Sequence, residues 1–269
     1  MVSPAPSDRP TGLSGAAPAI DPADLIAGLG RGLAVIESFD DEHARMTVAQ
    51  VSTRTGIPRS AARRYLLSLV HFGYADTDGK HFWLAPRVLR LSQSYLDGSR
   101  LPRLVQPFIQ RLSATTGETV NVSVLDGHEV VYVARSNSPR VVSIGFHAGA
   151  RVPAHVVSPG WVLVAAMPPE QAEAWVAGHD FGRFTAATVV EREAFLEQLA
   201  LVRRQGHWVS IGALDTGLTG VAIALRDRHG ECKASLGMTL QTGHWPLPAI
   251  TERLLPPLLE TAQVLRAIL

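Results

Sequence analysis

The sequence predicts an α+β protein. A winged helix-turn-helix occupies 23–85, a linker helix 86–100, and a second, mixed α+β domain 101–269. Three observations predict this. Helix signals at 31–39, 47–56 and 58–72 lead directly into a two-strand pattern around Asp78-Gly79. Five arginines and no acidic residue stand between His43 and Ala75. Beyond residue 118, alternating strand patterns mix with helical ones, as in an antiparallel sheet covered by helices.

Residues 1–22 are rich in Pro, Ala and Ser and read as a disordered tail, with too little apolar surface to offset ordering. In 25–39, Leu25, Leu29, Leu33 and Ile36 fall at helical spacing, while Gly28, Gly30 and Gly32 weaken the first half. A firm helix is therefore expected over 31–39. Thr47-Val48-Ala49-Gln50 has the form of a capping box. Gly56 ends that short helix, Pro58 suits the first turn of the next, and Gly73 stops it. On this last helix Ala62, Tyr65, Leu66, Leu69 and Phe72 share one face. That face is expected to pack on Leu33, Ile36, Val48 and Val51. Ser60, Arg63, Arg64, Leu67 and His71 share the opposite face. Asp78-Gly79 is a hairpin turn signal and supplies the wing.

A linker helix follows, then a helix marked by Leu101, Leu104, Val105, Phe108, Ile109 and Leu112. Val120, Val122 and Val124 alternate with Thr119, Asn121 and Ser123, the period of a half-buried strand. Further strands are expected at 129–135, 141–146, 207–211, 221–226 and 233–240. Helices are expected at 158–167, 169–177, 191–205 and 250–268.

The 269 residues carry 25 Lys+Arg against 24 Asp+Glu, a net charge of +1. That balance conceals a basic block. Residues 43–117 hold eleven basic and three acidic side chains, a net of +8, between an acidic leader of −5 and a remainder of −2. Such asymmetry points to a polyanion partner. Hydrophobic content of 46% supports a core and excludes global disorder. There is neither a run of about 18 apolar residues nor a signal-peptide apolar region, so a cytoplasmic protein without membrane contact is expected. The single cysteine, Cys232, excludes an internal disulfide.

The segments RGLAVIESF and TVAQVSTRTGIPRSAARRYLLSLVHFGYADTDGKHFWLAPRVLRL resemble the DNA-binding half of IclR-family transcription regulators. GARVPAHVVSPGWVLVAAM and GLTGVAIALRDRHGECKASLGMTL resemble that family's effector domain, and the likeness spans about 25–269. ARRYLLSLVHFGYADTDG and PRVLRL resemble the PcaR/PcaU/PobR branch, which controls breakdown of protocatechuate, 4-hydroxybenzoate and related aromatic acids. The resemblance implies a GAF-like effector domain, a small organic acid effector, operator DNA as partner, homodimers or homotetramers, and no cofactor or metal.

In a helix-turn-helix the second helix enters the major groove. Its exposed positions make Ser60, Arg63 and Arg64 the candidates for base edges, since arginine binds guanine O6 and N7 bidentately. Thr47, Arg54, Arg59 and the wing residues Lys80 and His81 are the candidates for the phosphate backbone. For the effector, the resemblance implies Ser158, Pro159 and Gly160 at a helix start and Ser210 on the strand after the long helix. It also implies Leu218 and Gly220 after the next loop, and Gly237 and Thr239 on the last strand. Ile144 and Phe146 are candidates for an apolar wall. The sequence departs from the branch at Trp161, Gly212, Ala213, Thr219 and Ala224. A regulator of an unrelated operon with a different ligand is thus the alternative reading.

An enzyme is not expected. The ten histidines form no HExxH or other metal spacing, and there is neither a Gly-x-Ser-x-Gly elbow nor a P-loop. A purely architectural DNA-binding protein would have no use for the 150 residues that follow the basic block.

Overall fold

The computed structural model describes residues 20–137 and 146–269, which fall into two compact units divided between Asp97 and Gly98. Ile144, most of the strand expected at 141–146 and nearly all of the tail 1–22 lie outside the described residues.

In the first unit α1 (Ala27–Glu37), α2 (Val48–Thr55) and α3 (Arg59–His71) precede a small antiparallel sheet. Its strands β1 (Met46–Thr47), β2 (Ala75–Thr77) and β3 (His81–Leu84) lie in the order β1-β3-β2, so the hairpin closes back onto the start of α2. The capping box forms: Gln50 N–H donates to Thr47 Oγ1 at 3.4 Å and Thr47 N–H to Gln50 Oε1 at 2.9 Å. Gly56 takes the left-handed conformation that ends α2 (φ 69°). Val35, Met46, Val51, Ile57, Ala62, Leu66 and Phe82 make the core. A single turn at Pro86–Val88 leads into α4 (Leu89–Gly98).

Two expectations about this unit are corrected. α1 begins at Ala27, four residues earlier than its glycines suggest, because Tyr65 packs against the bare flanks of Gly28 and Gly32. Phe72 is 60% exposed and Leu33 43% exposed, so neither is core; Val35 takes the inner position on α1.

The second unit is one six-stranded antiparallel sheet between two helical layers, in the order β6-β5-β4-β9-β8-β7. The strands are β4 (Thr119–Asp126), β5 (Glu129–Ser136), β6 (Arg151–Pro153), β7 (His207–Ile211), β8 (Leu218–Arg226) and β9 (Cys232–Gln241). On one face α5 (Arg100–Thr116) and α10 (Leu255–Arg266) bury Val105, Ile109, Leu258 and Leu265 against Val120, Val122, Val221 and Leu236. α10 is preceded by the short turn α9 (Leu247–Ala249) and a π-helical turn at Ile250–Leu254. On the other face lie α6 (Ser158–Ala165), α7 (Pro169–Gly178) and α8 (Arg192–Gln205). Every residue of α6 is buried. Its start approaches the 154–156 turn so closely that a Cβ on Gly160 would fall 1.9 Å from the Ala154 carbonyl oxygen.

The expectation of a half-buried β4 is also corrected. Thr119, Asn121 and Ser123 are as buried as the valines between them, because α6 covers their face of the sheet.

Candidate functional site

In the first unit α3 presents Arg59, Ser60, Arg63 and Arg64 to solvent. None of the three guanidinium groups has an ion pair or hydrogen bond among the described residues, so their donors are free for a partner. The α3 dipole starts here, with its positive end towards the same side. At the wing, Asp78 Oδ1 accepts from the backbone N–H groups of Lys80 (2.9 Å) and His81 (2.7 Å). Those bonds hold the Asp78 carboxyl down to about 2. Lys80 is exposed, and the half-buried His81 ring lies 3.3 Å from Asp78. Arg45, not singled out from the sequence, sits over the Trp83 ring at 3.9 Å and reaches Asp78 at 3.6 Å. No periodicity marks it, since it lies in the loop before β1.

Arg54 and Thr47 differ from expectation. Arg54 Nε donates to the Ser38 carbonyl (2.9 Å) and its Nη2 to Asp40 Oδ2 (2.5 Å), tying α2 to the end of α1. Hydrogen bonding by His43, with the Arg54 charge, holds Asp40 below the usual carboxylate range. Arg54 is thus a half-buried clamp and not a free phosphate ligand, and the Thr47 hydroxyl is engaged in its helix cap.

In the second unit a cavity opens between the start of α6 and the exposed end of the sheet. Its empty space, mouth included, is about 440 Å³. Phe146, Ser158, Pro159, Ser210, Leu218, Gly220, Gly237 and Thr239 all line it. The register explains the convergence: Thr239 pairs with Gly220 and Gly220 with Ser210, so the three stand in one row across β9, β8 and β7. Gly220 has no side chain because Ser158 Oγ occupies that space, 2.6 Å from where its Cβ would stand. Gly160 is corrected: it does not line the cavity, and serves the close approach of α6 to Ala154.

Sequence reasoning missed Asn121 and Tyr132, which also line the cavity. Tyr132 stacks on Phe146, with ring centroids 5.2 Å apart, to make an aromatic wall, and burial pushes its phenol pKa upward. Among the departures from the branch, Ala213 and Thr219 reach the cavity, while Trp161, Gly212 and Ala224 do not. Among the described lining residues none is charged. Hydroxyls, amides and the start of α6 are the available polar groups, in an otherwise apolar surround.

Behind the cavity wall His155 Nε2 donates to the Gly182 carbonyl at 2.9 Å, which leaves Nδ1 as the acceptor for His179 Nε2–H at 2.7 Å. Burial, then the neighbouring His155, His128 and Arg192, pull the His179 pKa down to about 3. The His155 carbonyl accepts from the Trp161 indole at 2.9 Å, which fixes the first turn of α6.

Among the described residues no group of His, Cys, Asp and Glu has the makings of a metal site, and no helix is long and apolar enough to cross a membrane.

Residues 28–79 match the IclR helix-turn-helix domain, and residues 93–266 match the C-terminal domain of the bacterial transcriptional regulator IclR. The p-hydroxybenzoate hydroxylase transcriptional activator of Acinetobacter baylyi is 41% identical over 90% of this chain and 92% of its own. A crystal structure of a transcriptional regulator from Rhodococcus sp. RHA1 is 36% identical, with a TM-score of 0.76, over 90% of this chain and 97% of that one. The inducer-binding domain of Acinetobacter PobR, solved as a double mutant with 3-hydroxybenzoic acid, is 34% identical with a TM-score of 0.60. It covers 64% of this chain and all of its own. With both of its units matched, and relatives that are regulators of transcription, the chain belongs to the IclR family of ligand-responsive, DNA-binding transcriptional regulators.

Proposed function

We propose that this regulator controls genes for breakdown of an aromatic acid, and that the cavity beside α6 is its effector site. The observation that carries this reading is the stacked Tyr132–Phe146 wall facing the hydroxyl-bearing residues Ser158, Ser210 and Thr239 around one space. A flat ring fits against such a wall, and neutral donors suit its substituents. The names of the relatives support the same class of ligand.

In the other unit Ser60, Arg63 and Arg64 read bases, while Arg59, Lys80, His81 and Arg45 hold phosphates. The protein acts as a homodimer or homotetramer on repeated half-sites, which suits a two-fold symmetric reader. Effector and operator are coupled: whatever factor the ligand imposes on DNA affinity, DNA imposes on ligand affinity.

The absence of a charged side chain among the described lining residues favours one second reading, a ligand that is uncharged. Melting curves of the full chain with protocatechuate, 4-hydroxybenzoate, benzoate and their amides test both, since a ligand of the native state raises Tm. Stabilisation by the acids supports the first reading. Stabilisation by the amides alone supports the second.

A further inference from the structure

A second hollow lies in the same unit, towards the other end of α6. Ser158 and Pro159 at the start of that helix line the cavity, whereas Val162, Ala165 and Ala166 further along line the hollow. Its empty space, mouth included, is about 980 Å³. Ile223 of β8 and Leu259 and Ala262 of α10 extend the apolar surface, and Leu259 is 50% exposed. Three arginines also line it: Arg203 on α8, Arg226 at the end of β8 and Arg266 at the end of α10. Among the described lining residues none is acidic.

None of these three guanidinium groups has an ion pair among the described residues. Each instead gives one nitrogen to a backbone carbonyl: Arg203 Nε to Ala165 (2.9 Å), Arg226 Nη1 to Gly230 (2.8 Å) and Arg266 Nε to Asp227 (3.3 Å). Those bonds restrain the side chains and leave most of the N–H donors of each unspent. The Asp227 carboxylate does not compensate them. It is buried and taken by Lys233 at 3.3 Å and by the backbone N–H groups of His229 and Glu231. α6, α8 and α10 all end at the hollow, and each helix end carries about half a negative charge. Three full positive charges exceed what three such ends require, so a surplus of about 1.5 positive charges remains over an apolar floor.

We propose that this hollow is a second ligand site, for a small organic anion that carries two or more negative charges on an apolar body. Guanidinium groups from three elements suit acidic oxygens spread around such a body, because each planar fork accepts a carboxylate or phosphate through two parallel hydrogen bonds. The floor of Val162, Ala165 and Ile223 takes the apolar part. The site is separate from the cavity, and it stands whether or not the cavity holds an effector.

Titration calorimetry on the full chain with benzene-1,3,5-tricarboxylate and inorganic phosphate tests it. The wild-type protein is expected to bind the tricarboxylate at least about tenfold more tightly than phosphate, which has charge but no apolar body. Ala262→Trp fills the hollow without changing its charge, and Arg226→Gln combined with Arg266→Gln removes two exposed guanidinium groups. Each is expected to weaken tricarboxylate binding by at least about tenfold. Arg203 is left in place because it also caps α6, and if Ala262→Trp does not fold the double arginine variant decides. Gly220→Ala, which alters the cavity, is expected to leave tricarboxylate affinity unchanged. No tricarboxylate binding by the wild type overturns the proposal, as does phosphate bound equally well. Affinity that survives in a folded hollow variant, or is lost in Gly220→Ala alone, places the anion elsewhere and overturns it too. Light scattering on Ala262→Trp covers the remaining occupant: a smaller assembly than wild type would assign the hollow to contact between copies of the chain and sink the ligand site.

Discussion

Arg54 and Asp40 are fourteen residues apart in sequence and joined by a 2.5 Å hydrogen bond that fastens α2 to the loop after α1. Of the arginines in the basic block, Arg54 is thus placed to serve folding. Arg54→Ala is expected to lower Tm by about 2–4 °C, as removal of a partly exposed clamp does in a chain of this size. Differential scanning calorimetry checks this; an unchanged Tm would return Arg54 to the set of free cations.

Arg63 and Arg64 give the opposite outcome. Both arginines are exposed and have no ion pair among the described residues, so Arg63→Ala and Arg64→Ala are expected to leave Tm unchanged while each weakens operator binding by about 1–3 kcal/mol. Fluorescence anisotropy with labelled operator reads the loss. Repeating it over a salt series separates the roles. A residue that holds phosphate lowers the salt slope by about 1 when removed, whereas one that reads a base relaxes sequence preference.

The two glycines near the cavity part company on substitution. Gly160→Ala forces a methyl into the Ala154 backbone, which cannot yield, so destabilisation of more than about 4 kcal/mol or failure to fold is expected. Gly220→Ala meets the Ser158 hydroxyl, which can rotate, so a cost of about 1–3 kcal/mol with weakened effector binding is expected. Urea unfolding and calorimetry of the same preparations distinguish the two.

The buried His155–His179 pair predicts a pH dependence. With its folded-state pKa near 3, His179 takes up a proton on unfolding at any pH between about 3 and its ordinary value of 6.5. The stability that depends on its neutrality is complete above about pH 6.5 and drains away as pH falls towards about 3. His179→Phe, which keeps a ring among Trp175 and Phe181, is expected to flatten the fall of Tm between pH 6.5 and 4. An unaltered slope would show that other groups govern it.

Much of the DNA-binding unit was legible because its signals are local. The Thr47–Gln50 capping box, the left-handed Gly56 and the Asp78-Gly79 turn each act within four residues. The role of Arg54 was hidden because its partners Ser38 and Asp40 lie on another element. The cavity was half legible. Ser158, Ser210 and Thr239 followed from family resemblance, yet Asn121 read as the solvent side of an alternating strand. Alternation reports the period of a strand and not what covers its polar face, and here that cover is α6. β6 escaped notice because its three residues depend on pairing with Glu129, Val130 and Val131.

None of the described residues that line the cavity is charged, which has a consequence for how the two units of the chain respond to a changing cell. If the effector sits there as proposed, held by neutral groups, it exchanges few counterions, and its affinity is expected to vary little with ionic strength. Contacts to phosphate vary steeply. On that reading, osmotic stress is expected to shift how firmly the regulator grips its operator while the effector concentration that half-fills the sensor stays nearly fixed. The chemical threshold for a response and the strength of that response would then be set by different physics and could drift apart.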